Sequence, residues 1–168
     1  MITIQSSHDS DSFHINMDIV MPKMPCDVVA LTVEDQMGNR VSDYYGELKK
    51  HRISSTGEEI SVETWDEKNA GRQDVADRIE QEIKDGQGCR LSGFIEAIRV
   101  PGNFYISHSG FGDIRMWLAQ RGYSLDNSFT INHMSFGKLE DFDTIAKHYP
   151  DAGVMHPLDG FERKLPED

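Results

Sequence analysis

Residues 88–104 read GCRLSGFIEAIRVPGNF, and they have a counterpart at residues 15–26, which read INMDIVMPKMPC. Each run has the character of a β-strand, and each carries one of the two cysteines of the chain, Cys89 and Cys26. Two lone cysteines beside strands favour one cross-link between distant parts of a β-rich domain. Neither run contains a catalytic motif, so the pair favours a binding or transport module over an enzyme.

The pattern of apolar residues predicts most of the strands. Apolar and polar residues alternate from Phe13 to Met21, which predicts a half-buried strand that stops at Pro22. A second strand is predicted over residues 29–33 and a third short run near 40–45, with a turn between them. Strand character returns at 91–100, 104–108 and 129–136, whereas residues 51–57 are interpreted as a strand end or loop.

The middle of the chain has helical periodicity instead. Between Asp74 and Lys84, apolar residues recur every four positions among charges, which predicts a helix supported by a pair of Glu80 with Lys84. The apolar stripe is narrow, so we expect this helix at the surface and not in the core. Two further short helices are predicted near residues 114–118 and 139–149, the second ended by Pro150.

These elements define a fold class. We predict a mainly β domain, a two-sheet antiparallel β-sandwich with a few short helices, one of them inserted between the two cysteine-bearing halves. A chain of 168 residues fits one domain. We expect a flexible N-terminal segment at residues 1–12, a single domain at 13–161 and a frayed tail at 162–168.

Composition limits the possible partners. The net charge of -12 argues against nucleic acid, whose phosphates would be repelled. No stretch of this sequence approaches the ~18 to 20 continuous apolar residues of a membrane span. The first residues show neither a basic region nor an apolar core, so no signal peptide is predicted in this segment.

The two cysteines leave two interpretations open. A bond between Cys26 and Cys89 would close a loop of about 64 residues and stabilise the fold by roughly 4 kcal/mol. The alternative is two unpaired buried thiols in a reducing compartment, because free cysteine packs as a small hydrophobe. The chain has no Cys-x-x-Cys motif, so a thiol oxidoreductase is disfavoured.

Motifs of enzymes and metal sites are missing from the sequence. There is no Gly-x-Ser-x-Gly elbow, no P-loop, no dinucleotide fingerprint and no His-Glu-x-x-His pair. The sequence therefore predicts no catalytic residue, no metal site and no cofactor.

The histidines offer one chemical possibility. There are seven, and His108, His133 and His156 lie in or beside the most regular segments. Histidine changes charge near neutral pH, so these three are candidates for sensing mild acidity during binding. The simpler alternative is that they are hydrogen-bonded histidines near turns.

Seven short segments, in this order, resemble the luminal domain of the endoplasmic reticulum vesicle transporter family, which includes the ER–Golgi intermediate compartment proteins of COPII vesicles. They span residues 13 to 160, and each is weak alone. They are Ile15-Asn16-Met17-Asp18-Ile19, Pro22-x-x-Pro25-Cys26, Asp35-x-x-Gly38, Gly88-Cys89-x-x-x-Gly93, Val100-x-Gly102-Asn103-Phe104, Ile131-x-His133-x-Ser135-Phe136-Gly137 and Pro157-Leu158-Asp159-Gly160.

The resemblance implies a β-sandwich that faces the ER lumen between two transmembrane helices. It implies an oxidising compartment, which favours the Cys26–Cys89 bond. It also implies a hetero-oligomer with a paralogous family member, cargo binding, and location in the membranes of the ER, the intermediate compartment and the cis-Golgi. It brings no catalytic residues, and it differs at His156, where relatives usually carry asparagine before the proline.

We therefore predict a non-enzymatic cargo receptor or adaptor that cycles between ER and Golgi in vesicles. One sheet face would serve the partner and a loop-rimmed patch the cargo. The alternative is a soluble β-sandwich module that binds carbohydrate or peptide and has no trafficking role.

Overall fold

The structure, a computed structural model, describes residues 12–35, 37–38, 40–41, 45–64, 73–98, 102–108, 114–150 and 156–165. Within these residues the strands are β1 Ser12–Met21, β2 Val29–Asp35, β3 Arg40–Val41, β4 Tyr45–Ile53, β5 Glu59–Thr64, β6 Gly88–Ile98, β7 Gly102–His108, β8 Phe129–Phe136 and β9 Phe161–Arg163. The helices are α1 Gln73–Lys84, α2 Ile114–Gln120 and α3 Leu139–His148, and one 3-10 turn covers Cys26–Val28.

Six strands form a large antiparallel sheet with the order β5-β4-β6-β1-β8-β9. Strand β1 lies near its centre, between β6 and β8. Successive side chains of a strand point to opposite faces, so Ile15, Met17 and Ile19 enter the core. We call the opposite face, which carries His14 and Asp18, the outer face.

Three strands form a small antiparallel sheet with the order β3-β2-β7. Leu31 from this sheet belongs to the same buried cluster as Leu91 and Ile95 from β6. The core therefore lies between the two sheets, and the predicted mainly β, two-sheet antiparallel domain with a few short helices is confirmed.

Helix α1 spans nearly the residues that the periodicity predicts, but its expected place outside the core is wrong. Val75, Ala76 and Ile79 are buried, and Ile79 is 0% exposed. Val75 and Ile79 belong to the core cluster. The helix therefore covers part of the sandwich, and it packs beside the 3-10 turn at Cys26–Val28.

A buried ionic cluster holds α1 against β4 and the 3-10 turn. Asp27 accepts from Arg78 of α1, and Arg52 of β4 lies between Asp27 and Glu82 of α1. The nearest oxygen of Glu82 is 2.9 Å from Arg52 Nη2, but neither carboxylate oxygen is in hydrogen-bond geometry with a described residue. Burial raises the pKa of Glu82 to about 7, and the Asp27 charge adds to that rise. Burial lowers the pKa of Lys50, whose ammonium donates to two backbone carbonyls here, to about 8.

Next to this cluster, Cys26 and Cys89 are joined by a disulfide with an S–S distance of 2.04 Å. It links the 3-10 turn to β6, and both cysteines are buried. Close by on β6, Gly93 has a φ of 122°, and a Cβ there would lie 1.9 Å from the carbonyl oxygen of Glu47 on β4. Only glycine permits β4 to approach β6 this closely.

Two strands differ from the sequence prediction. Residues interpreted as a strand end or loop complete β4 to Ile53, and β5 then follows a turn. Strand β9 takes in Glu162 and Arg163, the first two residues of the predicted tail. The predicted flexible segment at 1–12 lies outside the described residues except for Ser12. Among the helices described, none is both long and apolar enough to span a membrane.

Candidate binding face on the large sheet

A band of polar side chains crosses the outer face of the large sheet. At its centre, Arg90 of β6 donates to both carboxylate oxygens of Asp18 on β1, at 2.8 and 2.6 Å. Asn132 of β8 donates to the same carboxylate at 3.2 Å. The hydrogen bond from Arg90 lowers the pKa of Asp18, and Asp18 in turn raises the pKa of Arg90. Both groups therefore stay charged across the physiological range.

Two histidines of the outer face each lie beside a carboxylate. His51 Nδ1 is 2.6 Å from a Glu59 oxygen, and its Nε2 is 2.6 Å from the Ser92 hydroxyl. His14 Nε2 is 3.6 Å from a Glu96 oxygen, and its ring stacks on Phe94 with the centroids 4.3 Å apart.

A third histidine reaches this face because of an irregularity in β8. The pairing of β1 with β8 shifts between Asp18 and Ile19, which leaves Asn132 as an extra residue and places His133 opposite Asp18. A β-bulge of this kind re-aims the side chains that follow it. His133 and Asn132 can therefore both contact polar groups of the outer face, while Met134 remains buried.

His133 belongs to a corner formed with the turn before β9. Its Nδ1 is 2.9 Å from a carboxylate oxygen of Asp159, whose other oxygen accepts from the Met134 backbone N–H at 2.9 Å. Partial burial acts to raise the pKa of Asp159, but these two hydrogen bonds and the charges of His133 and His156 outweigh it and lower the pKa.

His156 closes this corner. Its ring lies edge-on to His133 at 4.8 Å and to Phe142 of α3 at 4.9 Å. Its Nδ1 is buried and has no hydrogen-bond partner among the described residues. A buried ring nitrogen without a partner costs free energy, because it has lost its hydrogen bond to water and gained none in the fold.

A chain of hydrogen bonds connects the corner to the middle of β1. His133 Nε2 is 3.0 Å from the Ser135 hydroxyl, and the Asn16 amide donates to that hydroxyl at 3.0 Å and to the Gly137 carbonyl at 2.8 Å. Asp159 is an acceptor only, so neutral His133 carries its proton on Nδ1, and Nε2 accepts from Ser135. Protonation makes Nε2 a donor as well, and the Ser135 hydroxyl must then turn away.

The same chain ends at an open groove. A cavity of about 730 Å³ is lined by Asn16, Gly137, His14, Phe94 and Glu96 together with the start of α3. The groove thus contains His14 of β1 with its neighbour Glu96, and the last two residues of the hydrogen-bond chain, Asn16 and Gly137. His133 is thus connected to the wall of the groove by hydrogen bonds through Ser135 and Asn16.

The structure brings together two of the three histidines that the sequence selects. His133 and His156 are in ring contact, whereas His108 ends β7 in the other sheet, and its side chain lies outside the described residues. Sequence reasoning missed His14, which lies at an outward position of a predicted strand, and His51, which begins the segment interpreted as a strand end or loop. In the described part of the chain, no group of three or more histidine, cysteine or acidic side chains could hold a metal ion.

Comparison with known proteins gives consistent matches. Residues 2–42 match the family described as Endoplasmic Reticulum-Golgi Intermediate Compartment, and residues 57–168 match the family described as Endoplasmic reticulum vesicle transporter. The chain is also similar to the crystal structure of Erv41p, with a TM-score of 0.52 and 20% identity over 95% of this chain and 67% of that one. That likeness concerns the fold.

Two curated relatives are similar along most of this chain. An uncharacterized protein of Schizosaccharomyces pombe is 25% identical over 225 residues, which cover 98% of this chain and 55% of the relative. Endoplasmic reticulum-Golgi intermediate compartment protein 1 of Xenopus laevis is 25% identical over 159 residues, which cover 92% of this chain and 40% of the relative. The chain thus spans about half, or less, of the length of these relatives. Because the vesicle transporter model matches most of its residues, the chain belongs to the endoplasmic reticulum vesicle transporter family, whose pathway is transport between the ER and the ER–Golgi intermediate compartment.

Proposed function

We propose that this chain is the luminal domain of a membrane-anchored, non-enzymatic cargo receptor or adaptor that cycles between ER and Golgi. Its outer face binds cargo and a member of the same family. The observation that carries this proposal is the family membership of a chain whose large sheet presents a continuous polar band. Charged pairs such as Asp18 with Arg90 fix orientation and specificity at an interface more than they add affinity.

One feature supports a luminal position, and another the kind of partner. The disulfide between Cys26 and Cys89 fits an oxidising compartment, since disulfides are rare in the cytosol. The net charge of -12 suits a protein that works among other proteins and not on nucleic acid.

We also propose that binding changes between near-neutral and mildly acidic pH through His133. The groups that face its ring are Asp159 and His156 from the turn before β9, Ser135 on the same strand, and Asp18 across the sheet. Asp159 is ionised at both pH values because its pKa is lowered. Protonated His133 gains charge beside a permanent carboxylate, and the turned Ser135 hydroxyl alters the hydrogen bonds of Asn16 at the groove.

The test is isolation of the tagged full-length protein from detergent-solubilised ER and Golgi membranes, with its partners identified by mass spectrometry. A co-purifying family member is expected. A protein recovered alone from the soluble fraction would contradict the receptor role and favour a soluble binding module.

The pH proposal has its own control. Retention of the co-purified proteins should differ between pH 7.2 and 6.0 in the wild type and in His148→Gln, since His148 lies on α3 and contacts only a helix carbonyl among described residues. The difference should vanish in His133→Gln. Equal retention at both pH values in the wild type would exclude the pH dependence without touching the receptor role.

A further inference from the structure

The two sheets of the sandwich cover each other unequally. The large sheet has six strands and the small sheet three. Helix α1 packs over the end of the large sheet near β4, but the inner side of β8 borders a cavity of about 560 Å³. Phe129, Ile131 and Met134 of β8 form one wall of it.

This cavity is apolar and of the size that binds ligands. Nine of its twelve lining residues are apolar, and the three polar ones are Ser107, Asn127 and Arg163. Binding cavities commonly measure about 300–1,000 Å³ and have mostly apolar walls with a few polar groups. Methionines contribute to the wall, and their flexible side chains adapt to different occupants.

The cavity also reaches the edge of β7. Ile106 and Ser107 are consecutive residues of β7 and both line it. Because consecutive side chains of a strand point to opposite faces, one space touches both only where it meets the backbone edge between them. The other edge of β7 is paired with β2, and no described strand pairs with the edge at the cavity.

We propose that an extended polypeptide segment with apolar side chains at alternate positions adds to β7 as a fourth strand of the small sheet. Its backbone hydrogen-bonds to the open edge, and every second side chain enters the cavity against Phe129, Ile131 and Met134. This is the strand-addition mode of recognition, in which the backbone gives affinity and the pockets give selectivity. That the segment comes from cargo rests on the proposed function.

Two observations select this occupant over others. A small apolar molecule fills the cavity but leaves the N–H and C=O groups of the β7 edge unpaired. A second copy of this chain brings a second charge of -12 to the interface, which opposes association.

An arginine at the rim of the cavity predicts a preference for one residue type in the bound segment. Arg163 of β9 pairs in register with Phe129 and has no ion pair among the described residues. An acidic residue at one end of the added strand would meet this guanidinium.

The test is fluorescence anisotropy with the purified chain and a labelled short peptide of alternating valine and threonine that ends in aspartate. Two further peptides carry N-methyl groups on the odd or on the even residues. Alternate N–H groups of a strand point to the same side, so one methylated peptide should lose about tenfold in affinity or more, and the other should bind nearly as the parent does. Equal binding of both, or no binding of the parent, overturns strand addition. The first outcome identifies an apolar site without backbone recognition.

Variants and hydrogen exchange locate the site. Phe129→Ala should weaken binding at least severalfold, whereas Thr130→Ala, the neighbour on the opposite face of β8, should not.

If Phe129→Ala melts at a much lower temperature than the wild type, amide exchange in the wild type locates the site instead. Peptide binding should slow amide exchange in β7. Exchange should not change in β5, an edge strand of the large sheet that is long enough to follow. Slower exchange in β5 and not in β7 would contradict the proposal. So would a dimer in analytical ultracentrifugation that the peptide does not dissociate, because the edge of β7 would then belong to an interface with a second copy. None of these results depends on co-purification of a family partner.

Discussion

The two ends of the large sheet are built differently. At the β4–β6 end the inner face is closed by α1, by the Cys26–Cys89 disulfide and by an ionic cluster around Glu82, which is 3% exposed. At the β8–β9 end the inner face borders a cavity, and the contacts are pairs such as His133 with Asp159, whose side chains are 31% and 35% exposed.

This difference indicates a division of labour along one sheet. Buried cross-links and buried apolar contacts raise the free energy of local opening, whereas exposed pairs and uncovered apolar strips leave it low. Binding sites are drawn from the less stable parts of a fold for that reason. The comparison predicts that substitutions at the first end act on stability and substitutions at the second end act on binding.

The largest expected effect is the removal of the disulfide. Cys26→Ser with Cys89→Ser frees a loop with a sequence separation of 63 residues. We expect a loss of about 4 kcal/mol in the free energy of unfolding. For a chain of this length that corresponds to a fall in melting temperature on the order of 10 °C, measured by calorimetry. The reduced wild type is the control and should melt with the double variant. An unchanged melting temperature would show that the disulfide does not stabilise the β4–β6 end of the sheet.

The ionic cluster gives the second effect, which depends on pH. The pKa of Glu82 is about 7 in the folded chain against an ordinary value of 4.5, so between these pH values the folded state binds more protons than the unfolded state. The contribution of neutral Glu82 to the free energy of unfolding is therefore fully present below about pH 4.5. It is lost as the pH rises to about 7. Glu82→Gln should abolish this decline, which amounts to about 1 to 3 kcal/mol.

Urea unfolding at pH 5, 6 and 7.5 measures that decline. Glu80→Gln on the same helix is the matched control, because the hydrogen bond from Lys84 lowers the pKa of Glu80 and moves its own titration below this range. A wild type whose stability is level from pH 5 to 7.5 would show that Glu82 is charged throughout and stabilised by Arg52.

The sequence predicted those parts of the fold in which a local pattern reports burial. The alternation from Phe13 to Met21 and the run Phe129–Phe136 give their strands almost to the residue. Strand β5 was missed although Ile60 and Val62 alternate with polar residues in Glu59–Thr64. It is an edge strand, and both side chains are about half exposed, at 51% and 46%. Strand β9 has three residues and exists only through its pairing with β8.

The role of α1 was misjudged for a physical reason. Its buried face consists of Val75, Ala76, Ile79 and Glu82, and a periodicity of large apolar residues counts only two of these. Glu82 is buried beside Arg52, which lies 30 positions earlier in the chain and has its Nη2 2.9 Å from a Glu82 oxygen. No local pattern contains that pairing.

The candidate binding face was predicted only in part. The sequence selected His133 and His156, but the contact of His133 with Asp159 joins β8 to a turn 26 residues later. The bulge that places His133 opposite Asp18 leaves one mark in the strand, the two adjacent polar residues Asn132 and His133, but that mark does not say which of them is the extra residue. An apolar cavity beside an open edge is likewise a property of two sheets together and not of any one strand.

The smallest expected effect on stability is at the histidine corner. Asp159→Asn removes the charge beside His133 and keeps an oxygen that accepts from the Met134 N–H. Exposed ion pairs contribute little, so we expect a loss below about 1 kcal/mol in urea unfolding at pH 7. The pKa of Asp159 is lowered in the folded chain, so its contribution is present above the ordinary value of 3.8 and is lost as the pH falls through the folded value. The variant and the wild type should accordingly converge once the pH lies below the folded pKa of Asp159.

This last variant is the sharpest test of the comparison between the two ends. Asp126→Asn is a matched control, because Asp126 also has a lowered pKa and also accepts a backbone N–H, from Ser128, but lies outside the corner. Both variants should fold alike, and only Asp159→Asn should alter the pH dependence of binding. If Asp159→Asn lowered the free energy of unfolding by several kcal/mol at pH 7, the histidine corner would stabilise the fold as much as the disulfide does. The β8–β9 end would then be as stable as the β4–β6 end, and the difference between them would not hold.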